Sequence, residues 1–230
     1  MKMRLVWLAA LSILTLGSRA FADYNAGAKA LQGGDYFKAY SEFKTSAENG
    51  DGMCQNALGV MNDIGQGIPQ NYSEALKWYS LSAAQGWPDA QYNLGLMYLL
   101  AKGVPQNYPE AIKWFRLAAE KNHAKAQNTL GTMYIKGQGV AQDSAEAFKW
   151  YSKAAERGLP SAQNNLGVMY STGQGAPLDL VRAHMWFNVA ASSGLADAQK
   201  GRDSVAEKMT PAQLAEAQRL ATEWIVNLSK

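Results

Sequence analysis

Apolar and small residues recur along the chain at helical spacing. In "AQNTLGTMY", Ala126, Leu130, Met133 and Tyr134 fall at i, i+4, i+7 and i+8, which is one face of a helix. Downstream, Ala147, Trp150, Tyr151, Ala154 and Ala155 fall at i, i+3, i+4, i+7 and i+8, which predicts a second amphipathic helix. Asp143 opens that helix, and Glu146 follows at capping-box spacing, with Asp in the cap role. Asn71/Glu74 and Asn107/Glu110 repeat the arrangement. Gly86, Asn122, Gly158 and Gly194 stand where a helix ends in a left-handed residue.

This helix pair is repeated. Trp78, Trp114, Trp150 and Trp186 are 36 residues apart, as are Gly59, Gly95, Gly131 and Gly167, and Leu58, Leu94, Leu130 and Leu166. Four full units are expected at 51–86, 87–122, 123–158 and 159–194. Residues 23–50 read as an atypical repeat with a shortened first helix, keeping Ala39, Phe43, Ala47 and Gly50 in phase. Residues 195–230 read as a partial repeat and a closing helix. Thr210, Pro211 and Gln213 form its start, and Ala217, Leu220, Ala221, Trp224, Ile225 and Leu228 share its inward face. A glycine inside a helix costs about 1 kcal/mol against Ala. The expected offset is close approach of the partner helix through a buried Trp or Tyr.

The spacing and residues resemble the Sel1-like repeat family, a relative of tetratricopeptide repeats. That pattern joins A-x-x-x-L-G-x-x-Y to G-x-G-V and then A-x-x-W-x-x-x-A-A-x-x-G, and "AQNTLGTMYIKGQGV" with "AEAFKWYSKAAERG" carries it nearly in full. Three positions depart from it: Ala101 replaces a loop glycine, Asn62 a Tyr, and Arg182 the capping Glu. The resemblance implies an all-α fold, a right-handed α-solenoid superhelix of stacked antiparallel helix pairs. It also implies scaffold or adaptor roles in the bacterial envelope, including control of cell-wall enzymes or of host contact.

The opening "MKMRLVWLAALSILTLGSRAFA" has a basic start at Lys2 and Arg4, an apolar run from Leu5 to Leu16, and small residues at Ala20 and Ala22. The run is too short to span a bilayer comfortably. It reads as a signal peptide over 1–22, cut after Ala22, and so predicts a periplasmic or secreted protein. The net charge of +3 comes from that segment: Lys2, Arg4 and Arg19 lie in it with no acid, and the remainder is balanced. A balanced chain with no Lys/Arg cluster lacks the basic stripe that nucleic-acid binding needs. No membrane span is expected after the leader.

The catalytic signals are weak. Gly137-Gln138-Gly139 before a helix suggests a phosphate loop, but it recurs at Gly65/Gly67 and Gly173/Gly175 between helices and lacks the Lys-Ser/Thr of a Walker loop. It reads as a hinge. Ser41-Glu42-Phe43-Lys44 matches S-x-x-K, and some cysteine-rich Sel1-like relatives carry a penicillin-binding or β-lactamase label. No S-D-N or K-T-G motif accompanies it here. His123 and His184 are too far apart in sequence to form a helical zinc pair. Cys54 fills a slot held elsewhere by Ala90, Ala126, Ala162 and Ala198, which suggests a small buried thiol. The column Gln55, Gln91, Gln127, Gln163 and Gln199 suggests hydrogen bonding between repeats.

By analogy with tetratricopeptide grooves, the positions two residues before each Leu-Gly line the candidate peptide groove: Asn56, Tyr92, Asn128 and Asn164. Asn both donates and accepts, so such a column suits an extended peptide backbone. The reading is a protein-binding scaffold without catalytic residues, cofactor or metal. Two alternatives stay open: a β-lactamase-like or penicillin-binding enzyme using Ser41, and glycan or peptidoglycan binding through exposed aromatics such as Trp87 and Tyr92.

Overall fold

The helical period governs the chain throughout the residues that the computed structural model describes, 24–228. The expected leader, 1–22, lies outside them. No strand occurs among the described residues, and the chain divides into two compact units between Asn107 and Tyr108. The first unit holds α1 (24–32), α2 (Tyr36–Glu48), α3 (Gly52–Ile64), α4 (Tyr72–Ala84) and α5 (Pro88–Leu99). The second holds α6 (Tyr108–Glu120), α7 (Ala124–Lys136), α8 (Ser144–Glu156), α9 (Pro160–Thr172), α10 (Leu180–Ser192), α11 (Ala196–Ala206) and α12 (Pro211–Leu228). Consecutive helices pack on one another from α2 to α5 and from α6 to α11, and α12 closes on α10. The architecture is an all-α solenoid.

The start and stop signals work as local chemistry dictates. Asn71, Asp143 and Asp179 each accept a hydrogen bond from the backbone N–H three residues on. Arg182 removes the reciprocal carboxylate in the fourth repeat, yet the Asp179 half of the cap survives at 2.9 Å. His123 caps α7 through Nδ1, accepting from Ala126 N–H at 3.1 Å. Gly86, Asn122, Gly158 and Gly194 all have positive φ. Ala101, in place of a loop glycine, is driven into the same region at φ 55°, a strained choice for a side chain with a Cβ. At α12, Gln213 N–H donates to Thr210 Oγ1 and Thr210 N–H to Gln213 Oε1, completing a capping box.

The helical glycines are where the partner helix comes closest. Tyr79 lies on Gly59, Tyr151 on Gly131 and Phe187 on Gly167. The aromatic in contact is thus the residue after each tryptophan. Adjacent residues are about 100° apart on a helix, so only one of the two can face the glycine. Trp78 and Trp186 are buried, whereas Trp114 and Trp150 are half-buried. Lys113 and Lys153 lie over those two rings, 5.3 and 4.4 Å from their centroids. The shortened first repeat uses the same contact, with Gly27 against Phe43. Burial of each ring contributes about 1.5–3 kcal/mol, enough to offset the glycine's cost in a helix.

Repeats are joined by the glutamine column. The Nε2 groups of Gln55, Gln91, Gln127 and Gln163 donate to the carbonyls of Ala47, Ala83, Ala119 and Ala155, at 3.0–3.3 Å. Each bond is a second one to a carbonyl in the last turn of the preceding repeat's second helix, which also accepts from the backbone N–H three residues on. Gln199, at the end of the series, is exposed. The loop glycines fit close packing as well. Gly103 sits on Tyr72, where a Cβ would lie 2.8 Å from the Tyr72 Cβ. On α12, Ala217 and Ala221 are fully buried against the unit, but Ile225, expected inward, is 39 % exposed.

Two side chains outside the repeat pattern bear on stability. Cys54 is a fully buried thiol outside any disulfide. His184 is 3 % exposed, and its Nδ1 has no hydrogen-bond partner among the described residues. Burial holds its pKa below the usual value, Arg202 adds to the effect and Asp203 opposes it.

Two outcomes follow. Gly→Ala in an open helix stabilises by about 1 kcal/mol, but a Cβ at Gly131 would lie 2.7 Å from Tyr151 Cδ1 and Cε1. Gly131→Ala therefore destabilises, by about 1–3 kcal/mol in denaturant unfolding, and Tyr151→Leu in the same chain recovers part of the loss. Burial lowers the pKa of His184, so the fold takes up a proton there less readily than the unfolded chain does. Its contribution is fully present above about pH 6.5 and is lost as pH falls toward the depressed folded value. His184→Gln flattens the stability profile between about pH 5 and 6.5, above the carboxylate range, as read by urea midpoints.

Candidate functional site

The first helix of each repeat turns its Leu, Met, Gly and Gln positions inward. This leaves the residue two before Leu-Gly at the margin of the packed face, half-buried in all four repeats. In the first unit, Asn93 Nδ2 donates to Asn56 Oδ1 at 3.0 Å. In the second, Asn165 Nδ2 donates to Asn128 Oδ1, also at 3.0 Å. The two bonds have the same sequence offset of 37 residues, one more than the repeat. They link the first helix of one repeat to the first helix of the next.

The column is therefore a set of pairs. Asn93 and Asn165 are members that the 36-residue register does not reveal, because they belong to the neighbouring column. The signal that finds them is Asn recurring one place out of phase. The series ends at Asn164: the residue 37 places on is Gly201, which has no side chain to donate, and Asn164 Oδ1 is buried without a partner among the described residues. Tyr92 takes the asparagine's place in the second repeat and is half-buried.

Each carboxamide has two N–H donors and an oxygen with two lone pairs. One Asn–Asn bond uses one donor and one lone pair. The pair keeps its relative geometry and still has donor and acceptor capacity for a further group, which a loose surface asparagine offers without such preorganisation.

The other sequence candidates fall elsewhere. Trp87 occupies the N-cap position of α5 without a side-chain cap bond, and Pro88 follows at the first helical position. It is 39 % exposed, with its pyrrole edge laid over Gly52 and Gln85 close by. Part of the ring is thus committed to packing. Ser41 and Lys44 are both exposed on α2, with the Lys44 ammonium 3.9 Å from the Glu48 carboxylate. Among the described residues no cluster of three His, Cys, Asp or Glu side chains is arranged to hold a metal, and no helix is long and apolar enough to cross a membrane.

Comparison with known proteins agrees with this geometry. The Sel1 repeat profile matches residues 52–87, 88–123, 124–159 and 160–195. No curated protein matches the chain. Among solved structures, c5321, described as a protective antigen present in uropathogenic Escherichia coli strains displaying an SLR fold, is 34 % identical with a TM-score of 0.83. The match covers 90 % of this chain and 45 % of that one. A Sel1 repeat protein from Oxalobacter formigenes is 36 % identical with a TM-score of 0.68, over 73 % of this chain and 49 % of that one. The chain thus spans about half the length of these two relatives. The immunity protein Pa5087 from Pseudomonas aeruginosa, 20 % identical with a TM-score of 0.53 over 90 % of this chain and 80 % of its own, shares the fold alone. With four consecutive matches over more than half of its length, the chain belongs to the Sel1 repeat family.

Proposed function

We propose that this protein is an exported, non-catalytic Sel1 repeat scaffold of the bacterial envelope, which binds protein partners through extended segments laid along the first helices. The observation that carries the reading is the pair of asparagine bridges, Asn56–Asn93 and Asn128–Asn165. Their remaining N–H and C=O capacity matches a peptide group, which presents one donor and one acceptor. Two further features support it. Repeats of this family generally mediate protein interactions, and the balanced charge beyond the opening segment fits a partner that is not a polyanion. Export to the periplasm or beyond rests on the basic, apolar and small-residue order of the first 22 residues. Cell-wall enzymes are a partner class that such a location would supply.

A photocrosslinking residue at Val168, exposed one turn beyond Asn165 on α9, tests the surface in the full chain in its native envelope. It is expected to capture discrete proteins that the same group at exposed Lys149 on α8 does not. Asn128→Ala with Asn165→Ala should lower the yield by about tenfold, the worth of one or two lost hydrogen bonds. Equal capture at both positions, or capture indifferent to the asparagines, sinks the groove. The N-terminus of the purified protein decides export: a chain starting at Asp23 supports it, and one retaining Met1 refutes it.

A further inference from the structure

The outward side of the first helices changes character along the chain. On α5 and its C-cap, Asp89, Asn93, Leu96 and Leu100 stand at i, i+4, i+7 and i+11; on α3, Asn56, Val60 and Ile64 stand at i, i+4 and i+8. Each set shares one side of its helix. Two side-chain bonds bring these sides together: Asn93 Nδ2 donates to Asn56 Oδ1, and Lys102 Nζ donates to Asp63 Oδ1 at 2.7 Å. Val60 and Leu96 fall between the two bonds along the helices and are half-buried. Ile64 and Leu100, one turn further on, are 56 % and 55 % exposed. The result is a strip with an acid at one end, the bonded carboxamides next, and four aliphatic side chains beyond. It is peculiar to the first unit. In the second, the columns of Leu96 and Leu100 continue as Thr132 and Lys136, and that of Asp89 as Lys125.

The strip specifies its occupant by spacing, hydrogen bonding and charge. Rows four residues apart on a helix are separated by about 6 Å, close to the roughly 6.6 Å between alternate side chains of an extended chain. A segment running along the helices thus sets two side chains, two positions apart, against Val60 with Leu96 and Ile64 with Leu100. The carboxamides suit a backbone whose N–H and C=O groups are still to be paired. An extended chain has them, whereas the interior of a helix has used its own. Asp63 and Asp89 are the only charged residues of α3 and α5, and Asp63 is paired with Lys102. Residues 24–107 carry five Lys, no Arg and seven Asp or Glu, so the sign that complements this unit is positive. A second copy of the chain has no strand among its described residues to lay here.

We propose that the strip shared by α3 and α5 binds an extended segment of a partner protein, in which a basic residue precedes two apolar residues set two positions apart. The basic side chain lies toward Asp89, the backbone meets the Asn56–Asn93 bridge, and the apolar pair covers the aliphatic rows. The inference rests on the reading of the first helices as the binding surface, and it names the chemistry that the first unit selects.

The test is fluorescence anisotropy, with the full chain titrated into fluorescein-labelled Gly-Gly-Lys-Ser-Thr-Ser-Leu-Ser-Leu-amide. Saturable binding with a Kd below about 1 mM is expected. Ile64→Thr with Leu100→Lys installs residue types that the same columns carry at Thr172 and Lys136. Both positions are exposed, so this variant should melt with the parent and bind at least about tenfold more weakly, the worth of the lost apolar contacts. Asp89→Lys should reverse the preference for charge: a peptide with Glu in place of Lys then binds about threefold more tightly than the Lys peptide. Three results would overturn the proposal: no binding at about 1 mM protein; equal binding of a peptide ending in Ser-Ser-Leu-Leu-amide, where the leucines are adjacent; or binding indifferent to the Ile64→Thr, Leu100→Lys pair. Dimerisation of the parent in sedimentation, lost in that same variant, would assign the strip to a second copy and refute the peptide. Capture at Val168 is read in the second unit, so a negative result there leaves this test standing, and a negative result here overturns this proposal alone.

Discussion

The contact of an aromatic ring with a glycine in the middle of a helix fixes the separation of the two helices in the first, third and fourth repeats. At Gly59, Gly131 and Gly167 the missing Cβ is the space that Tyr79, Tyr151 or Phe187 occupies. A side chain there would push the helices apart and open voids at the fully buried Ala75, Ala147 and Ala183 beside the rings. The tyrosine hydroxyl is accommodated where a partner exists, as Tyr151 shows by pairing with Thr132 at 3.0 Å. Once the pair is this close, the last turn of its second helix lies within reach of the next repeat's glutamine. The intra-repeat contact thereby sets up the inter-repeat bond.

Packing and polar pairing compete at the end of the array. Phe187 has glycine on two sides: a Cβ on Gly167 of α9 would lie 2.6 Å from its ring, and one on Gly201 of α11 would lie 2.7 Å from it. Gly201 is also the position from which a side chain would bridge to Asn164. The ring takes the space, and Asn164 Oδ1 is left without a donor. Buried aromatic area is worth more than one net hydrogen bond, so the direction of the compromise is the expected one.

Most of the fold was legible in the sequence because each determinant is local and repeated: caps, left-handed stops and the apolar stripe each appear several times in phase. Other features were hidden for identifiable reasons. A 36-residue period marks Trp150 and Tyr151 equally, and only the helical phase relative to Gly131 shows which of them faces it. His123 is not among the usual capping residues, so its Nδ1 cap had no residue-type signal. The asparagine pairs run at an offset of 37 and fall between the columns that a 36-residue alignment compares. The lack of a partner for Gln127 Oε1 among the described residues goes with the residue at 157, which varies among repeats while the glutamine itself does not.

That last distinction locates individuality within a repetitive molecule. Positions that hold their residue in every repeat are consumed by packing: Leu58 with its equivalents, the glycines under the rings, and the glutamine amides on the helix-end carbonyls. A side chain already bonded inside the solenoid has little left to offer a ligand. The internal bonding changes where a column changes residue: Gln85 donates to Gln55 Oε1, whereas Gln127 Oε1, with Arg157 at the equivalent offset, has no partner among the described residues. The immunity protein with the same fold at 20 % identity makes the general point that architecture does not choose the partner. In a repeat protein the choice rests with the exceptions to the repeat, because those are the places where one repeat differs chemically from the next, as Gln85, bonded to Gln55, differs from Arg157.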